Sequence, residues 1–428
     1  MTDHRTAPTA TAATGPATTT GTATAAGPGD TVDLRTVDLD TLDLADSATF
    51  HGTGLATLWR RLRDERPVRL QPASGERPAF WAVTRYADAL AVYRDHERFT
   101  TEQGNMLATL LNGGDTASRK MLAVTDGAKH REMRQLMIKA FSPRVLGKVT
   151  ERIATRIHRL IGQARERGEI DYARDVADSI PIHTICDLLD IPEADRAELL
   201  DLSKAVLSSD TASPDQTEMV TARNEMLLYF TGLAAERRAR PGDDVVSTLA
   251  TSFLGHEEVV YNCYSLIIGG DESSRLSSTG AIHAFATHPQ QWRALKEGLV
   301  TADSAVEEIL RWTSPAMHFG RRALADVVVG ATLIPAGSAV TVWNAAANHD
   351  ERAFHEPERF DLARTPNKHL TFGYGTHFCL GSFLGRAQLK AMVESVRETV
   401  DTIEPRGEPQ QVHSNFMYGY CRLPVAFG

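Results

Sequence analysis

Apolar positions recur with a period near 3.6 over most of the chain between residues 126 and 288, the spacing that turns one stripe of a helix toward a core. Breaks fall at Pro192, Pro214 and Pro241, and Pro289 closes the run. Residues 257–288 form one long helix candidate, apolar along much of its first half through Val259, Val260, Leu266, Ile267 and Ile268. Ahead of this region, residues 67–70 and 80–84 read as short strands and residues 86–94 as a helix. Residues 99–125 carry Gly104, Gly113 and Gly114 without a clean period, which predicts a long loop of the kind that closes over binding sites. A further helix is predicted over 304–312, opened by a capping box of Ser304 and Glu307 and stopped before Pro315. β-like runs follow at 327–329, 332–334 and 339–343, then an irregular stretch at 344–371. The last helix, over 380–400, buries Leu384, Met392, Val396 and Val400. The pattern predicts a mainly α fold with a small antiparallel β portion, in a single large domain over residues 43–428. Residues 1–42 begin with a stretch of Thr, Ala, Gly and Pro that has little to bury, and are expected to be disordered.

Composition narrows this picture. With 428 residues, 42% of them hydrophobic, the chain can enclose a large cofactor. The balance of 46 basic against 55 acidic residues, a net charge of −9, argues against a nucleic-acid partner. No apolar run approaches the ~20 residues that span a bilayer, so no membrane partner is expected. The first residues lack the apolar core of a secretory signal. Four cysteines (Cys186, Cys263, Cys379 and Cys421) include no C-x-x-C pair, which excludes the usual zinc and redox spacings and fits a cytoplasmic location.

Chemistry concentrates in residues 372–381, F-G-Y-G-T-H-F-C-L-G. Cys379 stands where a glycine-bearing turn enters the last helix, so that helix's first N–H groups and dipole can lower a thiol pKa from its usual ~8.5. Gly373 and Gly375 permit the positive φ of a tight turn, and Gly381 lets the backbone lie close to a flat ligand. A lone cysteine in such a turn would ordinarily be an inert core residue. Here, however, the spacing F-G-x-G-x-H-x-C-x-G resembles the haem-binding signature of the cytochrome P450 family at all six fixed positions. The resemblance implies that family's fold around a buried haem b. Cys379 would be the axial thiolate and metal ligand, Phe372 would pack beside the sulfur, and His377 would donate to a propionate.

Other segments match in the expected order. Glu308 and Arg311 resemble the family's E-x-x-R pair, and Arg359, in the stretch P-E-R-F, falls where a second arginine joins it. His130 and Arg134 match H-x-x-x-R, which presents two cationic donors on one helix face for haem propionates. Arg321 resembles the third propionate partner, with its neighbour Arg322 an open alternative. In the long helix, G-G-D-E-S-S-R breaks an apolar face and places two glycines mid-helix at a cost of ~1 kcal/mol each. It resembles the family's (A/G)-G-x-(D/E)-T-T, in which Gly269 and Gly270 open a groove for dioxygen and Glu272 and Ser273 deliver protons. Ser273 and Ser274 replace the usual threonines and lose the methyl that restrains the rotamer. Met106, Leu107, Ile268, Ala316, His318, Asn415 and Tyr418 fall in the family's substrate-facing regions.

The resemblance implies a monooxygenase that uses O2, with NAD(P)H electrons arriving through a separate ferredoxin and ferredoxin reductase. The polar residues of the substrate regions point to a polar intermediate of secondary metabolism, amino-acid- or peptide-derived, free or carrier-bound. An Ala-, Thr- and Arg-rich composition like that of high-GC soil bacteria agrees. Oxidative coupling or cyclisation at the same centre stays open. A non-enzymatic recruiter or haem-based sensor is the competing reading.

Overall fold

Val259, Val260, Cys263, Ile267, Leu276, Ala281, Ile282 and Phe285 are all buried, and their spacing wraps most of a helix circumference. In the computed structural model, which describes residues 33–207, 210 and 215–428, His256–Thr287 is accordingly one unbroken helix of 32 residues through the centre of the largest apolar cluster. The helices Ser179–Leu188, Gln216–Ala239, Ala302–Thr313 and Ser382–Thr399 pack on it. The helix Pro143–Arg167 packs in turn on Ser382–Thr399. Its register follows from Ser142, whose hydroxyl caps the Val145 N–H at 3.3 Å, and from Val149, Ile153, Ile157 and Ile161 at i,i+4 spacing on its buried face.

The five-stranded sheet carries apolar clusters of its own, whereas Glu169–Asp171, Pro424–Phe427 and Ile403–Pro405 pair as a small sheet on the helix bundle. Five strands run in the order Val68–Gln71, Phe80–Val83, Ala339–Trp343, His318–Ala323 and Phe99–Thr100. Every pair is antiparallel except Phe80–Val83 with Ala339–Trp343. Ala339–Trp343 is buried at all five positions, as a central strand covered on both faces should be. Among the described residues no helix is long and apolar enough to cross a membrane.

Three expectations are corrected. The packed chain begins before residue 43: Leu34, Leu39 and Leu42 are buried in a second apolar cluster with Trp59 and Trp343. Arg69 fixes their backbone, donating to the carbonyls of Leu39 and Leu42 at 2.8 Å each. Single leucines between aspartates give no periodic signal, which is why this segment read as unstructured. Residues 1–32, the remainder of the segment expected to be disordered, lie outside the described residues, as does Pro214. The stretch 99–125 is not one loop: it holds a strand at Phe99–Thr100, a helix at Leu107–Leu111 and a 3-10 turn at Leu122–Val124. Finally, the predicted capping box at Ser304 does not form. The helix starts at Ala302, capped by the Thr301 hydroxyl, while Ser304 Oγ donates to the Leu362 carbonyl at 2.6 Å and Glu307 pairs with Arg386.

Candidate haem-thiolate site

The cysteine loop has the conformation its glycines predict. Gly373 and Gly375 adopt φ of +67° and +74°, and the Cys379 N–H closes the turn on the Phe372 carbonyl at 2.9 Å. A Cβ on Gly375 would stand 2.8 Å from the Tyr93 carbonyl oxygen, a backbone atom that cannot step aside. Gly381 has φ −78°, open to any residue, and a Cβ there meets only the Cys379 sulfur at 3.9 Å. Cys379 is exposed while Cys186, Cys263 and Cys421 are buried. Neighbouring protein atoms crowd the sulfur although the residue keeps an exposed surface. That desolvation pushes the thiol pKa up, against opposing pulls from the Gly381 and Ser382 N–H groups and the guanidinium groups of Arg134 and Arg386. The positive groups are therefore arranged for a thiolate, and a bound metal ion would complete the ionisation. Phe372 lies under the Arg386 guanidinium at 4.6 Å.

The predicted cationic cradle gathers in part. Arg321 is buried and its guanidinium lies 5.2 Å over the Tyr93 ring, yet it donates only to the Gly320 carbonyl and has no ion pair among the described residues. A buried, unpaired guanidinium is costly unless an anion completes it. Arg322, one residue on, points to the other face of the strand and is spent on the carbonyls of Gly337 and Leu110. His130 is buried with Nε2 unpaired, and burial pushes its pKa down to about 4. Its ring is 4.4 Å from that of His377. Arg134 donates to the Phe378 carbonyl at 2.7 Å, beside the cysteine. His377 departs from expectation, since its Nε2 is engaged by Asp126 at 2.6 Å. Burial opposes the charge of Asp126, but bonds from His377 and Thr100 outweigh it and hold the carboxyl well below its usual range. An exposed cysteine, an unpaired buried arginine and an unpaired buried histidine nitrogen together fit a flat cofactor with one metal and anionic side groups. A haem answers that description.

In the long helix the two glycines separate. A Cβ on Gly269 would meet nothing within 4 Å, so this position faces open space. A Cβ on Gly270 would stand 2.7 Å from Ile185 Cδ1, so Gly270 serves helix packing and not the groove. Ser273 Oγ donates back to the Gly269 carbonyl at 3.1 Å. Glu272 is buried and held by Arg275 at 2.6 and 3.0 Å.

The arginine pair is partly corrected. Glu308 and Arg311 are both fully buried, with two bonds of 2.8 Å between them. Arg359 is not their partner: its exposed side chain pairs with Glu356. The second arginine is Arg364, whose Nε lies 3.0 Å from Glu308 Oε2. The stretch 344–371 is irregular, so no periodicity could tell which of its arginines turns inward.

Of the substrate-region residues, the structure brings residues 315–317 and 416–418 together through main-chain bonds. This turn lies on the long helix, where Gly419 approaches Leu276. His318 meets this turn only from its buried side, at the Phe416 ring and the Asn415 backbone. It alternates with Phe319 and Arg321 along its strand, so it faces the opposite side, fully buried against Trp343 and Phe416. Leu107 is likewise packed into the second apolar cluster. The Asn415 amide is taken by the Ala45 carbonyl and the Tyr418 hydroxyl accepts from Gln411. Met106 and Ile268 are half-buried, and Ala316 is buried beside Met417.

Comparison with known proteins agrees with this geometry. The family model described as Cytochrome P450 matches residues 297–412, which include Glu308, Arg311 and the cysteine loop. The chain is 45% identical over 393 residues to Cytochrome P450 NovI of Streptomyces niveus, covering 91% of this chain and 97% of that one. It is 30% identical to a Steroid C26-monooxygenase of Rhodococcus jostii, over 86% and 80% of the respective chains. The crystal structure of P450 OxyD, involved in the biosynthesis of vancomycin-type antibiotics, superposes with a TM-score of 0.83 at 34% identity, covering 90% of this chain and 99% of that one.

Proposed function

The chain belongs to the cytochrome P450 family and is one of its monooxygenases, and from that premise we propose that it oxidises a polar, amino-acid- or peptide-derived intermediate of secondary metabolism. The family implies a haem with a cysteine thiolate ligand, and we take the haem to be haem b, held by Cys379. The observation that carries this assignment is the exposure of Cys379 among N–H groups and guanidinium groups, with the unpaired Arg321 close to His377 of the same loop. The involvement of OxyD in the biosynthesis of vancomycin-type antibiotics supports a secondary-metabolic role. The polar class of substrate rests on Asn415 and Tyr418 in the turn beside Ala316, since His318 faces away.

When bound, the haem supplies the redox chemistry that activates dioxygen and passes one oxygen atom to a substrate bond. The protein's residues do the rest. Cys379 presents a sulfur whose charge is stabilised by the Gly381 and Ser382 N–H groups, Arg134 and Arg386. Arg321, His130 and Arg134 would hold the cofactor's carboxylates and orient it. Gly269 keeps the helix surface open and would leave room there for dioxygen. Ser273 and Glu272 would relay the protons that oxygen cleavage consumes. Electrons come from a ferredoxin and its NAD(P)H-dependent reductase in the cytoplasm.

The test is to reconstitute the protein with haem, record the CO difference spectrum of the reduced form, and screen ligands for a ferric spin-state shift. The reading expects the thiolate band and a shift with free or carrier-bound aminoacyl compounds. A shift with steroids or fatty acids alone would reject the substrate class, and absence of the band would reject the site.

A further inference from the structure

The helix Pro143–Arg167 carries Arg144, Lys148, Arg152 and Arg156 at i,i+4 spacing, so four cations stand in one row on its surface. Like charges so placed repel, and no acid interrupts the row. Asp243 answers Arg144 at 2.8 Å, whereas Lys148 has no ion pair among the described residues. The row ends in an open cleft of about 620 Å³, walled by Arg152, Arg156, Arg196, Arg237, Ile191 and Pro192. Arg196 opens the helix Arg196–Leu207, and Arg237 lies near the end of Gln216–Ala239. Of the acids that line the cleft only Asp187, near the end of Ser179–Leu188, is buried. Arg196 meets it at 2.9 Å, and Arg152 and Arg156 reach the same carboxylate with one Nη each, at 3.3 and 3.2 Å. Arg152 and Arg156 make no other hydrogen bond among the described residues, which leaves most of the N–H donors of each free. Arg237 spends Nη2 on the Asp190 carbonyl and carboxylate at 3.0 and 3.4 Å. Its buried Nε has no hydrogen-bond partner among the described residues, with Asp244 standing 3.5 Å away. The side chains of Asp190 and Glu193 are mostly exposed, so water screens their charge.

One bidentate fork satisfies a carboxylate, yet three guanidinium groups converge on Asp187. The excess is felt nearby. His183, one turn before Asp187, has its pKa pushed down first by burial and then by Arg156 and Arg196, against a smaller pull from Glu193 and Asp187. We propose that this cleft binds the phosphate group of a small organic phosphate ester, with Arg152, Arg156 and Arg237 as donors and Ile191 and Pro192 against the organic part. Guanidinium forks match phosphate oxygens, and a phosphate ester carries close to two negative charges near neutrality. Two charges and three acceptor oxygens use the spare donors more fully than a carboxylate does. The volume lies within the range of small-molecule sites and exceeds what a bare phosphate fills. Asp187 stays covered by Arg196, so it orients the other donors and does not repel the ligand. None of these residues belongs to the cysteine site, and the proposal does not rest on the reading of that site.

Calorimetric titration of the haem-loaded full chain tests this, with phenyl phosphate, inorganic phosphate and benzoate as probes. Near-physiological salt screens loose surface attraction. The proposal expects saturable one-to-one binding of phenyl phosphate, weaker binding of the other two, and a melting temperature that rises with phenyl phosphate. The affinity should fall by up to about tenfold from about pH 7 to about pH 5, as the dianion takes up a proton near pH ~6. Arg152→Gln and Arg156→Gln should each weaken binding by about tenfold or more through loss of a charge-assisted bond. Arg152 is largely exposed and its loss leaves Asp187 with Arg156 and Arg196, so that variant keeps its fold. Arg159→Gln removes the same charge from the same helix, where the side chain bonds only to Gln163, and should change nothing. Absence of saturable phenyl phosphate binding would overturn the site. So would Arg152→Gln binding like wild type, or Arg159→Gln weakening binding as much as Arg152→Gln. Benzoate binding as tightly as phenyl phosphate would refute the preference for phosphate, and equal affinity for inorganic phosphate would refute the organic half of the ligand.

Discussion

Replacing Arg364 with alanine tests which arginine completes the buried Glu308–Arg311 pair. The Arg364 side chain is 8% exposed and makes four bonds. These run to Glu308 Oε2 at 3.0 Å and to the carbonyls of His355, Glu356 and Arg359 at 2.5, 3.1 and 2.7 Å. Glu308 would keep Arg311, Asn367 and the Asp361 N–H, so its charge would not be stranded. Three carbonyls would nevertheless lose a donor and a buried charge network would lose a cation. Three carbonyls that lose a donor, at about 1–1.5 kcal/mol each, together cost roughly 3–5 kcal/mol. For a chain of this length the unfolding entropy is roughly 0.9 kcal/mol per kelvin, so the melting temperature should fall by about 3–6 °C. The Arg359–Glu356 pair is more than half exposed on both sides, and such pairs contribute about 0–1 kcal/mol. Arg359→Ala should therefore shift the midpoint by about 1 °C or less. Thermal melts of the haem-loaded variants, followed by circular dichroism, measure both. Equal losses, or a loss confined to Arg359→Ala, would refute the placement of Arg364.

Cys379→Ala should abolish the thiolate band of the reduced CO complex; a retained band would move the ligand elsewhere. Gly269→Ala should stabilise the cofactor-free protein by about 0.5–1 kcal/mol, because a helical glycine is replaced and its Cβ meets nothing. The same methyl should weaken haem-dependent turnover, so a variant that gains neither stability nor loses turnover would contradict the open-face assignment. Burial pushes the His318 pKa down to about 3, so the fold keeps this ring neutral while the unfolded chain protonates it below pH ~6.5. Its stability contribution is complete above that pH and falls by up to ~1.4 kcal/mol per unit as the solution is acidified. Urea denaturation of His318→Phe, whose ring keeps contact with Trp343 and Phe416, should show a shallower acid loss than wild type; parallel pH curves would count against it.

What the sequence disclosed, and what it hid, follows from how each residue is held. The long helix, the helix Tyr86–Arg94, the three β runs after residue 326 and the last helix were legible because periodic burial forces a periodic sequence. The turn glycines were legible because positive φ selects glycine, as Gly373 and Gly375 show. Side chains whose direction depends on distant partners were not. Arg359 and Arg364 differ only in which way an aperiodic segment turns, and Glu308, some fifty residues away, decides it. His318 looked like a polar pocket residue because its type was read without its strand face. Register with Trp343, fixed across the sheet, turned it into the core. The acid–alcohol segment shows the same limit from the other side. Glu272 is recognisable from local spacing, yet the ion pairs around its partner Arg275 arrive from residues 178, 204 and 210 and leave no local trace. A motif therefore marks a candidate group, while the ion pairs that surround it are assembled only by the folded chain.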